Sequence, residues 1–337
     1  MNPGGLRRCR ARALSQRPAA GFTLVEMMVA VTLGLMIVAG LATVFSSSSS
    51  SAKANDRVSD IEFNGRYSLN ALKQELRQAG YRGYTWAELN PPSTSLGTVS
   101  GECGDGSGLF VSNLRQRIWG ANDSNPFSGN CLPASEKNGA EGGDVLVIRR
   151  VDGTPVAAPS ANTFYFRSTY GAGEVFRGTT VPASIGIAAP LASFALQEFV
   201  YYVSPYTASP SEVPLVPALY RVALQTDGSM KRELVATGIE QLQIQYGRHT
   251  TAPDLRYFNT FSATNCPGCT LDTGAATTSS PTVWDDIKSV RLWILSRSAS
   301  PEPGFVNRSS YVMGDKTYTV NDGFRRQLFT TVVQLRN

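Results

Sequence analysis

Side chains suited to metal binding, thiol chemistry or nucleophilic catalysis are scarce: five cysteines and a single histidine, His249, in 337 residues. A Ser–His–Asp relay or a histidine-rich metal centre has almost nothing to draw on. Cys266-Pro-Gly-Cys269 has the spacing of a redox pair. A thioredoxin-like thiolate needs a helix N-terminus in a βαβ setting, and the flanks Ala-Thr-Asn and Thr-Leu-Asp read as loop. Zinc would need four ligands, and only His249 and the distant Cys103 and Cys131 could join these two. Glu102-Cys-Gly-Asp105-Gly-Ser107-Gly resembles a calcium loop only faintly. It lacks the alternating ligands and closing glutamate, and reads as a glycine-rich turn. No phosphate loop, dinucleotide fingerprint or paired catalytic carboxylates occur. The expectation is therefore a protein that is not an enzyme, with no catalytic residue, metal or cofactor.

One acidic residue stands out. Glu26 heads an uncharged apolar run, Met27 to Phe45. A carboxylate in an apolar helix is costly and needs a partner or a task, although a helix N-terminus favours negative charge. It can snorkel to a bilayer surface; alternatively, a cut before Phe22 would bring a new α-amino group within about a turn. Phe22 to Phe45 makes about 36 Å of helix at 1.5 Å per residue, enough for a hydrocarbon core of about 30 Å. Residues 1–21 hold five arginines (Arg7, Arg8, Arg10, Arg12, Arg17) and no acid. They should keep the N-terminus cytoplasmic and send the polypeptide after Phe45 across the membrane. They also account for the whole net charge of +5: the remainder has 26 basic and 26 acidic residues. That balance carries no electrostatic footprint for nucleic acid.

Gly21-Phe22-Thr23-Leu24-Val25-Glu26, after a short basic leader and before a long apolar helix, resembles the type IV pilin processing motif. The resemblance implies that prepilin peptidase cuts between Gly21 and Phe22 and N-methylates Phe22. It also implies that Glu26 guides assembly by pairing with an N-terminal amine, usually a neighbour's. A competing reading uses Ala52-Lys53-Ala54 as a secretory cleavage site that would leave Asn55 as the first residue. The apolar run is too long for the 7–15 residues of an ordinary signal core and begins beside Glu26.

Beyond the apolar run, Ser46 to Ser51 form either a flexible linker or a polar collar on a helix leaving lipid. Val58, Ile61, Leu69, Leu72 and Leu76 resume helical spacing, and Gly80 supplies a stop after Ala79. From Tyr81 the sequence turns β-rich. Strands are expected at Asp144–Val151, Thr163–Arg167, Ser193–Val203, Ala218–Thr226, Ser229–Val235, Ile239–Tyr246, Ile287–Arg297 and Arg326–Leu335. Asp227-Gly228 marks a hairpin. No helical crossovers alternate with these strands, so an antiparallel sheet is expected, with the long helix over one face. Leu89–Gly143 and Thr250–Asp286 read as long loops rich in Gly, Pro, Ser, Asn and Thr. Cys103, Cys131, Cys266 and Cys269 lie in those loops, and Cys9 lies in the leader. Four cysteines in an oxidising compartment allow three pairings; the nearest-neighbour set, Cys103–Cys131 and Cys266–Cys269, is expected. Trp284 and Trp293 read as core or edge residues, and Asp285-Asp286 as a solvated turn.

The segments from Gly238 to Tyr246, Ile287 to Arg297 and Phe324 to Arg336, with Arg66-Tyr67 and Ala79 to Gly83, resemble the PilW family of minor pilins. The expected fold is α+β, type IV pilin-like: a basic leader (1–21), a helix (22–80, with 22–45 transmembrane) and a β-rich periplasmic or extracellular domain (81–337). The resemblance implies a minor pilin that joins a tip complex priming pilus assembly. Its partners would be other minor pilins, the major pilin, prepilin peptidase and the inner-membrane assembly platform. Its location would be the inner membrane, then the pilus. Alternatives are a type II secretion pseudopilin and a helix-anchored periplasmic binding protein.

Overall fold

The computed structural model describes residues 21–87, 89–127, 131–133, 136, 143–187, 189–251, 254–262, 266 and 282–336. The chain divides into two compact units, Met1–Ala54 and Asn55–Asn337.

Within the described part of the first unit the dominant element is the start of helix α1 (Leu24–Gln78). The six serines are helical throughout, so the linker reading of Ser46 to Ser51 gives way to an uninterrupted helix. Ser50 Oγ donates to Ser46 O at 3.0 Å, as Thr32 does to Val29 O at 2.9 Å and Thr43 to Gly40 O at 2.7 Å. Each hydroxyl is thereby satisfied by its own helix, which makes these polar residues compatible with an apolar surrounding. Among the described residues this is the helix long and apolar enough to cross a membrane.

In the second unit α1 presents a buried stripe of Ile61, Gly65, Ser68, Leu72 and Leu76. Their spacings of three and four keep them on one helical face. The helix stops as expected: Gly80 takes a φ of +79°, which favours glycine, and its N–H donates to Arg149 O at 2.9 Å.

The expected strands are all present, but they are divided between two sheets instead of one. The first joins β1 (Leu89–Asn90), β5 (Gly173–Arg177), β4 (Phe164–Ser168), β6 (Ala192–Ser204), β3 (Val145–Val156) and β2 (Ile118–Ala121) in that order; β7 (Ala218–Leu224) adds to β6, and β8 (Met230–Thr237) to β7. The second has the order β10 (Asp254–Phe258), β9 (Ile239–Thr251), β11 (Ile287–Arg297) and β14 (Arg326–Gln334), with a separate hairpin of β12 (Ser310–Met313) and β13 (Lys316–Thr319). Strand pairs are antiparallel except β1 with β5. The Asp227-Gly228 hairpin forms, with Gly228 at φ +76° and Ser229 N donating to Asp227 Oδ1.

Leu89–Gly143 is not the bare loop expected. It supplies β1, helix α2 (Leu109–Ser112) and β2, and it buries Phe110, Val111, Leu114, Ile118 and Trp119 in the core. Trp284 is likewise core: its ring lies 4.8 Å from that of Tyr246 and 4.9 Å from that of Phe261. Asp144 ties the two sheets together, accepting from Asp123 N at 3.0 Å and Ile244 N at 2.6 Å.

Candidate functional site

Phe22 and Thr23 lead directly into α1, and Thr23 is its N-cap. Glu26 N donates to Thr23 Oγ1 at 3.2 Å, while Thr23 N and Oγ1 donate to Glu26 Oε2 at 3.2 and 3.1 Å. This reciprocal pair is a capping box, which satisfies backbone donors that the first turn cannot bond internally. The sequence signal was the Thr-x-x-Glu spacing, which the reading of Glu26 as a charge in search of an amine passed over. Both bonds fall on Oε2; Oε1 takes no hydrogen bond among the described residues. The carboxylate is therefore already held in place and still has an oxygen to offer.

From Phe22 to Phe45 every residue is exposed, with Phe22 at 81% and Phe45 at 77%. Burying such side chains is worth roughly 25 cal/mol per Å² of apolar surface. A helix surface of this kind is stable only against lipid or against other apolar helices. The arrangement supplies an apolar rod with one fixed carboxylate at its head.

The other singled-out residues sit apart from it. Cys103 and Cys131 form the expected disulfide, with Cα atoms 4.8 Å apart. Cys266 is disulfide-bonded; Cys269, its expected partner, lies outside the described residues, as does Cys9. Glu102 is buried, and its carboxylate accepts from Gly108 N at 3.3 Å and Val111 N at 3.1 Å. Burial pushes it up despite those bonds. Asp105 accepts from Ser107 N and Oγ, and these bonds hold it below the usual carboxylate range. Both acids thus serve the glycine-rich turn, where Gly101, Gly106 and Gly108 all have positive φ. His249 is exposed on β9, and among the described residues no cluster of three His, Cys, Asp or Glu could hold one metal ion.

Sequence reasoning missed the buried ion pairs. Arg149 and Glu198 are fully buried and 2.7 Å apart, with Arg149 also bonded to Gln116 and stacked on Phe110. Arg326, with its side chain 1% exposed, binds both Glu240 and Asp322. The available signal was a charge inside an apolar strand, such as Arg149 in Val-Leu-Val-Ile-Arg. These pairs join strands across each sheet.

The PilW family model, described as Type IV Pilus-assembly protein W, matches residues 200–337, and the prokaryotic N-terminal methylation motif matches residues 16–42. No curated protein matches the sequence significantly. Among solved structures, a type IV-like pilin from Thermus thermophilus is 13% identical over 84% of this chain and 96% of its own, with a TM-score of 0.32.

Proposed function

We propose that this chain is a PilW-family type IV minor pilin that is cut between Gly21 and Phe22, methylated on Phe22, and drawn from the membrane into a tip complex that primes pilus assembly. Before extraction its apolar helix holds it in the inner membrane with the β-rich domain in the periplasm. Prepilin peptidase performs the cut, and the inner-membrane assembly platform performs the extraction. Other minor pilins and the major pilin then cover the helix.

The observation that carries this reading is the fully uncovered apolar surface from Phe22 to Phe45 together with the methylation motif at its head. A helix leaving lipid for neighbouring helices exchanges one apolar contact for another, so extraction need not expose it to water. Glu26 adds selectivity. Oε2 stays on Thr23 while Oε1 receives the amine of a neighbour's Phe22, and packing registers without that amine leave a carboxylate unpaired in an apolar bundle.

Two substitutions separate charge from capping. Glutamine serves at this position of a capping box as glutamate does, so Glu26→Gln keeps the helix start and removes only the charge; Glu26→Ala removes both. Sheared surface fibres should lose the subunit in both variants. Normal incorporation of Glu26→Gln would refute the role of the charge. Mass spectrometry of the mature chain should find methylated Phe22 first. Deleting the gene should reduce surface pili and leave exoprotein release intact, the reverse of what a secretion pseudopilin would give.

A further inference from the structure

Beside the first sheet lies a groove of about 360 Å³ lined by Pro155, Val156, Pro159, Val181 and Leu191, with Arg167 among its walls. It forms where β3 departs from regular pairing with β6: the register shifts between Val151 and Pro155. Arg167 lies on β4, opposite Glu174 of β5 and Ser193 of β6.

Most other half-buried or buried arginines are spent on carboxylates or, like Arg82, Arg117 and Arg177, on backbone carbonyls. Arg150, Arg297 and Arg326 each meet a carboxylate, Glu75, Glu240, and Glu240 with Asp322 respectively. Arg167 makes no ion pair among the described residues; its Nη1 reaches Ser193 Oγ at a long 3.4 Å, and its buried Nε has no partner. The acid across the ladder is committed elsewhere. Glu174 Oε1 accepts from Ser93 N at 2.6 Å and Ser93 Oγ at 2.5 Å, and Oε2 accepts from Ser184 Oγ. A guanidinium is built to grip a carboxylate with two parallel N–H donors. Here it borders a trough with apolar walls and has no carboxylate on its fork; the occluded Nε stays out of reach, so an incoming carboxylate would meet the outer nitrogens.

We propose that this groove receives an acidic residue flanked by apolar side chains, presented by a neighbouring pilin subunit, with its carboxylate on Arg167. The proposal rests on the assembly role given above. The groove has the size of a few side chains, at the low end of ligand pockets. Its lining offers no aromatic face on which a sugar could stack, and one cation is too few for recognition of an anionic membrane surface. A single carboxylate on an apolar stem satisfies both walls.

The test uses the full-length chain in the bacterium that makes it, with a photo-crosslinking amino acid in place of exposed Ala157 on the rim. Irradiation should give an adduct whose partner peptide belongs to another pilin and contains Asp or Glu. Arg167→Gln should lower the adduct yield about tenfold, the change expected from losing roughly one charged hydrogen bond, and Arg167→Lys should retain part of it. An intact Cys103–Cys131 bond and unchanged protease resistance in each variant establish that the domain has folded. A pilin adduct indifferent to Arg167, an adduct only with glycan, lipid or a non-pilin protein, or no adduct overturns the proposal. The amount of chain in sheared fibres is read separately, so its absence there counts against the assembly role itself and not against the groove.

Discussion

Glu26 and Asp144 are both carboxylates held by backbone N–H groups, yet their surroundings give them different behaviour. Glu26 is exposed and shares its cap with Thr23. Losing such a cap costs about 1 kcal/mol of helix stability, so the structural part of Glu26→Ala is small and a large assembly defect would have to come from the charge. Asp144 is buried between Asp123 N and Ile244 N. Loss of water pushes it up to about 8, with Asp123 and Asp315 adding in the same direction. Between the ordinary carboxylate range and about 8, the folded chain keeps a proton that the unfolded chain releases. Stability must therefore fall as pH rises through that window and level off above it. The unfolding free energy of the purified protein, from urea titration, should be higher at pH 5 than at pH 8, by an amount on the order of a few kcal/mol at most. Glu102 and Asp285 are raised by burial too, so Asp144→Asn should reduce the slope without abolishing it. An unchanged slope in that variant would exclude Asp144 as its source.

At the level of elements, Gly65 decides how α1 meets the second sheet. A Cβ built there would lie 2.1 Å from Cε2 of Phe329 on β14, well inside any permitted contact. Gly65→Ala should therefore destabilise the domain by about 1–3 kcal/mol through overpacking, despite alanine's better helix propensity. Phe329→Leu should rescue the pair in a double-mutant cycle measured by thermal unfolding; independent, additive losses would show that the two do not touch. This contact also marks the limit of what the sequence disclosed. The apolar spacing of Ile61, Leu72 and Leu76 identified the helix face, and β-branched runs identified eight strands, because these signals are local. Gly65 carries no local signal, since its purpose lies in a strand far along the chain. Short strands such as Gly173–Arg177 and Ser310–Met313 carry too few alternations to register. The division of the strands into two sheets rests on pairings between distant segments, such as β3 with β6 and β9 with β11, which no periodicity encodes. At the head of the helix, by contrast, everything needed was local: the motif named Gly21, Phe22 and Glu26, and the Thr23 spacing was there to be used.

For the molecule as a whole, the Cys103–Cys131 bond closes a 28-residue separation across the irregular stretch that brings Phe110, Ile118 and Trp119 into the core. Replacing both cysteines by serine should cost about 2–4 kcal/mol, seen as a lower unfolding midpoint that the native chain reproduces only after reduction. No such difference would mean that the segment is held by its buried side chains alone.

The Gly65–Phe329 contact imposes a timetable as well as a fit. Gly65 leaves the ribosome well before Phe329, so its place on the buried stripe has no partner until β14 has been made. Any nascent chain stopped short of β14 would lack Phe329 and leave an open seam where that ring meets the helix.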